Sequence, residues 1–136
     1  MDKITYFLIC DTTNNAPMPG GMGLNVVNPQ LLLMPTYVPG NFSFAIVIGV
    51  QDIDTSSPAR VKFELLSPGN KLIYKSLEMD LPGVDMNNVP SKYKGILMSF
   101  ELRNVPIDEE GAYVLKLFIN DQEVGQREIP IFKRGK

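Results

Sequence analysis

Asp52 and Asp54 are the carboxylates whose spacing could support chemistry, because they lie one residue apart in a turn-rich stretch. Oxygen ligands of this kind suit a hard cation such as Ca²⁺. The surrounding residues match neither an EF-hand loop nor another calcium-binding pattern. We therefore expect solvated turn carboxylates here and no metal site.

The residue types needed for acid-base and nucleophilic catalysis are scarce. The chain has no histidine and one cysteine, Cys10, which excludes Ser-His and Cys-His pairs, the commonest general base and most zinc sites. Paired carboxylates of the glycosidase type remain, but such enzymes need a larger cleft than a domain of this size provides. Cys10 lies in an apolar stretch and is expected to be inert packing. We expect a protein that is not an enzyme and needs no cofactor.

Residues 11–23 are rich in Gly and Pro and contain Met18 and Met22. The sequence at 20–23 has neither the dinucleotide-binding spacing nor the Lys-Ser/Thr ending of a P-loop, so a phosphate site is not expected. Two interpretations stay open. The segment is either a flexible recognition loop, whose methionines adapt to varied partners, or a disordered connection.

Composition limits the class of protein. The 136 residues are 44% hydrophobic and 21% charged with a net charge of −2, which predicts one globular domain over 1–136. The negative net charge argues against nucleic-acid binding, and the basic residues at 133–136 are expected to form a solvated tail. The apolar stretch 4–10 is short and has no cleavage site after it, so we expect a cytoplasmic protein that does not enter a membrane.

The clearest structural signal is the alternation over 42–50. Phe44, Ile46 and Ile48 share one face, whereas Ala45 and Gly49 lie on the other. A bulky face and a small face without charges predict a central strand with a core on one side and a close neighbour behind it.

Similar runs separated by turn residues predict the remaining strands. They lie at 4–10, 60–66, 71–79, 96–102, 112–119 and 122–132, with short apolar pieces at 24–27 and 31–34. Asn120-Asp121 favours a two-residue hairpin turn, and Pro130 places its position at a sheet edge or a bulge. About seven or eight strands predict an all-β, antiparallel immunoglobulin-like β-sandwich. A small barrel and a jelly roll are the alternatives.

Several short motifs along the chain are together similar to those of a known group of proteins. They are KITYFLICD at 3–11, FSFAIV at 42–47, VKFELLSPGN at 61–70, LRNVP at 102–106, EGAYVL at 110–115 and NDQE at 120–123. Together they resemble a family of small, uncharacterised bacterial immunoglobulin-like β-sandwich proteins. The resemblance implies the sandwich fold and carries no activity.

Alternate connections of an antiparallel sandwich fall at the same end, which would bring together 11–23, 51–58 and 80–95. Long loops in compact domains are often functional. The candidate binding residues at this end are Met18, Met22, Asp52, Asp54, Met86 and Tyr93.

Two functions follow from these features. The first is a non-enzymatic binding or interaction module that contacts a protein or small ligand through the loops of this end. The second is a structural or assembly protein, for which a phage origin is one hypothesis. It would form homo-oligomers or pair with a partner through an edge strand at 24–33.

Overall fold

The alternating runs of the sequence form β-strands. The computed structural model describes residues 2–19 and 21–135, without the side chain of Met22, and those residues form nine strands. The strands are β1 Ile4–Met18, β2 Gly21–Gln30, β3 Gly40–Gln51, β4 Ala59–Leu66, β5 Leu72–Lys75, β6 Met79–Leu81, β7 Gly95–Ile107, β8 Gly111–Ile119 and β9 Gln122–Ile131. A short 3-10 turn, Ser91–Tyr93, precedes β7.

The strands form two antiparallel sheets that pack face to face. The first sheet has the order β2-β1-β3-β7, and the second has the order β5-β4-β8-β9, with β6 also paired to β4. The β3-to-β4 and β7-to-β8 connections pass from one sheet to the other, as in immunoglobulin domains. The fold is therefore an all-β, antiparallel immunoglobulin-like β-sandwich, with nine strands where seven or eight were expected.

The core lies between the sheets and is built from alternate residues of the facing strands. Ile46 and Ile48 of β3 and Leu115 of β8 are fully buried in it. The rings of Phe63 and Phe100, one from each sheet, lie 5.0 Å apart between centroids. Because β3 pairs with β1 on one side and β7 on the other, the prediction of a central strand is confirmed.

The small face of β3 is also covered. Ala45 and Val47 are buried on the outer side of the first sheet together with Cys10, and Leu24 and Val26 of β2 pack against them. The hairpin of β1 and β2 therefore lies over part of this outer face. The close neighbour predicted behind β3 is this hairpin.

The largest difference from expectation concerns residues 11–23, which are not a loop. β1 continues to Met18, and its pairing with β2 runs from Ile9↔Gln30 to Met18↔Gly21. Beyond Cys10, β1 pairs with β2 alone, so one edge of each strand is open. Pro17 lies one residue before the end of β1, where the ladder stops at the hairpin turn.

Other boundaries also differ. The strand expected at 71–79 is broken into β5 and β6, and β7 continues to Ile107 through an irregularity at Asn104, whose φ is 54°. Within 31–34, Leu33 forms an isolated bridge to Ile131. The predicted hairpin turn is confirmed, since Asn120 and Asp121 have φ of 50° and 66°.

Tyr113 fixes the turn between β7 and β8. Its side chain is 1% exposed, and its hydroxyl donates a 2.6 Å hydrogen bond to the carbonyl oxygen of Glu109. A tyrosine bonded to the backbone a few residues upstream at this corner is typical of immunoglobulin-like sandwiches. Burial raises the pKa of Tyr113, so the hydroxyl stays protonated and able to donate.

Replacing Tyr113 with phenylalanine is expected to lower the free energy of unfolding by about 1–2 kcal/mol, because the buried hydrogen bond is lost. Urea unfolding measures the change. Tyr74→Phe is the control, since Tyr74 is half-buried and its hydroxyl has no hydrogen bond to any described residue. Equal losses in the two variants would show that the Tyr113 hydroxyl does not stabilise the corner.

Candidate functional site

The outer face of the first sheet carries a groove built by three neighbouring strands. Tyr6 of β1 pairs with Gly49 of β3, and Gly49 pairs with Leu97 of β7, so the three residues lie in one row across the sheet. The groove has a volume of about 420 Å³. Its walls are the side chains of Tyr6 and Leu97.

Gly49 forms the floor of this groove, where the two walls approach each other. A Cβ atom at Gly49 would lie 3.1 Å from the Cβ of Tyr6 and 3.4 Å from the Cδ1 of Leu97. Both distances leave little room for a side chain. Because glycine has no side chain, Tyr6 and Leu97 can approach each other across Gly49, and no side chain at Gly49 fills the space between them.

Tyr93 closes one end of the groove, positioned by the 3-10 turn before β7. Its N–H donates to the carbonyl oxygen of Pro90 at 2.9 Å, and its own carbonyl oxygen accepts a 3.3 Å hydrogen bond from the Gln51 side chain. The Nζ of Lys92 lies 4.9 Å from the centre of the Tyr93 ring, within the range of a cation-π contact.

The groove residues expose large apolar surfaces to solvent. Tyr6 is 49% exposed, Tyr93 52% and Leu97 58%. Single exposed apolar residues are ordinary, but a cluster of them marks a contact surface. The residues that line the groove carry no charge.

The outer face of the second sheet is different in character. Asp121 lies 3.2 Å from Arg60 and 3.5 Å from Lys62, and Lys116 lies 4.0 Å from Glu123. These partly exposed pairs form an ordinary solvated surface and contribute little to stability. The groove of the first sheet, whose lining carries no charge, is therefore the better candidate for binding.

The predicted carboxylates lie near the groove but form a separate hollow. Asp52 and Asp54 line it together with Lys94. The backbone N–H and hydroxyl of Ser56 donate to Asp54 at 2.9 and 2.6 Å, and these bonds lower the pKa of Asp54. Within residues 2–19 and 21–135 there is no group of three or more metal-ligating side chains.

The predicted shared end is correct for two of its three connections. Residues 51–58 and 80–95 meet, since Ile53 donates to Lys94 and Val84 donates to Thr55. The hairpin that carries Met18 departs elsewhere, because the last residue of β1 paired to β3 is Cys10, opposite Ala45 in the middle of β3.

Met18 and Met86 do not meet at one site. Met18 is 58% exposed beside the hairpin turn. The backbone of Met22 pairs with Pro17, while its side chain lies outside what the structure describes. Met86 lines a hollow made only by residues 84–89. Of the predicted residues whose side chains the structure describes, Tyr93 is the one that lines the groove.

Cys10 is fully buried in the contact between the hairpin and the first sheet. Burial raises the pKa of its thiol, which therefore stays protonated at neutral pH. A protonated, inaccessible thiol is a poor nucleophile. The prediction that Cys10 is buried packing is confirmed.

Sequence reasoning missed Tyr6, Gly49 and Leu97. One signal was present: Leu97 lies between Ile96 and Met98, and so falls on the solvent-facing phase of its strand. A large apolar residue in that phase indicates either cover by another segment or a contact surface. The register that brings Leu97 opposite Gly49 cannot be read from either strand alone.

Comparisons with solved structures show weak similarity, as two of the matches illustrate. An immunoglobulin-like protein from Pseudomonas aeruginosa is 10% identical over 93% of this chain and 97% of its own, with a TM-score of 0.32. The alkylpurine DNA glycosylase AlkC from Pseudomonas fluorescens, bound to DNA with an abasic-site analogue, is 11% identical over 70% of this chain, with a TM-score of 0.40. This chain spans 26% of the glycosylase. The fold assignment rests on strand order and packing.

No protein-family model matches the sequence, and no curated protein is similar to it. The resemblance to a bacterial family therefore stays a prediction. In the described part of the chain, no helix is long and apolar enough to cross a membrane.

Proposed function

We propose that this chain is a non-enzymatic binding module that holds a flat apolar group of its partner in the groove between Tyr6 and Leu97. The observation that carries the proposal is the exposure of both side chains around a glycine floor. The lack of histidine in the chain supports binding without catalysis.

The chemistry of the groove favours a ring as the bound group. The rings of Tyr6, in one wall, and Tyr93, at one end, each combine an apolar face with a polar hydroxyl. The volume of about 420 Å³ falls in the range of small-ligand sites, although the groove is open on its solvent side. The ligand class is therefore a small ring-bearing molecule or the aromatic residue of a partner protein.

Binding is tested with a library of small aromatic fragments and the full chain labelled for NMR. We expect a subset of fragments to shift the amide signals of Gly49, Gln51 and Leu97. Tyr6→Ala removes one wall and is expected to weaken binding of those fragments roughly tenfold, the loss typical of an exposed aromatic anchor. Titration of each fragment measures the dissociation constant.

Tyr37→Ala is the matched control, because Tyr37 is 75% exposed and does not line the groove. It should bind the fragments as the unmodified chain does. The proposal is wrong if fragments shift only signals away from the groove, or if the two tyrosine variants lose affinity equally.

A further inference from the structure

The outer edge of β7 carries unpaired backbone groups. β7 is the last strand of the first sheet, so one of its edges has no neighbouring strand. Within residues 2–19 and 21–135, no backbone hydrogen bond from another segment reaches this edge between Gly95 and Glu101. A row of open donors and acceptors is a template for another strand.

The hydrogen-bond pattern shows which residues face the open edge. The N–H of Gln51 donates to the carbonyl oxygen of Lys3 at 3.0 Å, away from β7. Because directions alternate along a strand, Val50 faces β7 and bonds Ile96. The backbone groups of Leu97 and Ser99 must then point outward, as must those of Gly95 and Glu101.

The edges of β9, of β5 and β6, and of the part of β2 around Asn28 are protected, whereas β1 beyond Cys10 and the start of β2 keep open edges in the hairpin. Along β9, Leu33 donates to Pro130 and accepts from Phe132, and Lys3 donates to Val124. The edge formed by β5 and β6 is broken into strands of four and three residues. In β2, Asn28 has a φ of 54° and is followed by a proline. Short strands, irregular backbone and proline are the usual devices that prevent edge pairing.

In β7 such protection is confined to one part of the strand. Asn104 has a φ of 54° and Pro106 lacks an N–H, so the strand beyond Leu102 is a poor template. Residues 95–102 contain neither feature, and one charged residue, Glu101. This stretch is the open edge.

We propose that the open edge pairs with the same edge of a second copy of this chain, antiparallel about Met98. In this register, Leu97 of each copy hydrogen-bonds Ser99 of the other, and Gly95 bonds Glu101. All the outward-facing residues then find partners. On the core side, Ile96 of each copy lies opposite Phe100, and an aromatic residue opposite a β-branched residue is a favourable cross-strand pair.

The apolar residues near the edge favour a second copy as the occupant. Ile96 and Phe100 are only partly buried at the rim of the core, and the pairing covers both in each copy. An interface between identical copies must match itself about a two-fold axis. The stretch 95–102 meets this condition, because a two-fold axis at Met98 places Ile96 of each copy opposite Phe100 of the other.

Charge does not oppose this register. The pairing places Glu101 beside the Lys94-Gly95 end of the other copy, and keeps the two Glu101 carboxylates apart. Like charges directly opposite each other destabilise paired strands, whereas opposite charges stabilise them. Within its own chain Glu101 already pairs with Arg103 and accepts a hydrogen bond from Thr12, so the self-complementarity of the edge rests on its hydrogen bonding and its apolar pairs.

The test is light scattering of the full chain over a range of concentrations, combined with amide hydrogen exchange. We expect the mass to rise from 15.2 kDa toward twice that value with concentration. The amides of Leu97, Ser99 and Glu101 should then exchange roughly tenfold more slowly, because pairing protects them. The amides of Ile96 and Met98, which already bond to β3, should change little.

Ser99→Pro removes an outward N–H without touching the pairing with β3, and should keep the chain at 15.2 kDa. Glu128→Pro is the matched control, since the alternation along β9 turns its N–H to the open side as well. Thermal unfolding checks that both variants are folded. Should Ser99→Pro unfold, Leu97→Lys replaces it, since a lysine on an edge also opposes pairing.

Three results would overturn the proposal. They are a chain that stays at 15.2 kDa at every concentration, a dimer without protection of the β7 amides, and a dimer that survives both edge variants. The edge and the groove share Gly95, Ile96 and Leu97, but Ser99→Pro and Tyr6→Ala test them separately, because Ser99 does not line the groove and Tyr6 is not part of the edge.

Discussion

Val47→Asp is expected to lower the free energy of unfolding by about 3–5 kcal/mol, because it places an unpaired carboxylate in a dry contact. Val47 is 1% exposed although it points away from the core between the sheets. The cover comes from Leu24 and Val26 of the hairpin. With a total stability of about 5–15 kcal/mol for a typical domain, such a loss is a large share of the whole.

Ser99→Asp is the control for Val47→Asp, because Ser99 pairs with Val47 on the same outer face and is exposed. We expect a change within about 0.5 kcal/mol for this surface site. Urea unfolding at low protein concentration compares the two without self-association. If both variants lose little stability, the hairpin does not cover β3.

The sequence predicts β3 well because both of its faces are encoded in one continuous run. The bulky residues Phe44, Ile46 and Ile48 indicate a core on one side, and the small residues Ala45 and Gly49 indicate a close neighbour on the other. Local alternation contains this information, so no register is needed to read it. The structure confirms both faces.

The sequence fails over residues 11–23 because glycine and proline usually end strands. Here β1 and β2 pair only with each other beyond Cys10, and Pro17 lies at the end of the ladder beside the turn. Leu24 and Val26 gain burial against the first sheet, which favours the ordered hairpin. This tertiary contact overrides the local breakers.

The candidate site is less predictable than the fold, because it depends on register. The position of Tyr93, Asp52 and Asp54 at one end of the sandwich can be predicted, because alternate connections fall at the same end. Tyr6 and Leu97 meet only because both pair opposite Gly49, and a shift of one residue would turn either side chain to the core. Each strand alone leaves that register undetermined.

Gly95→Ala is expected to lower the free energy of unfolding by about 3 kcal/mol, at the upper end of the usual cost of overpacking. A Cβ at Gly95 would overlap the carbonyl oxygen of Val50, and would lie 2.8 Å from its carbonyl carbon and 2.9 Å from the Cα of Gln51. All three are backbone atoms of β3, so no side chain can rotate away to relieve the contact. The start of β7 must instead move away from β3.

The same movement should disturb the groove, since Gly95 lines it and leads directly from Tyr93 into β7. We therefore expect Gly95→Ala to weaken fragment binding as well as stability. Gly69→Ala is the matched control, because the nearest atoms to its Cβ would lie at an ordinary 3.8 Å. Urea unfolding and fragment titration of both variants measure the two effects. Equal stability of the two variants would mean that β3 and β7 do not approach as closely at Gly95 as the register requires.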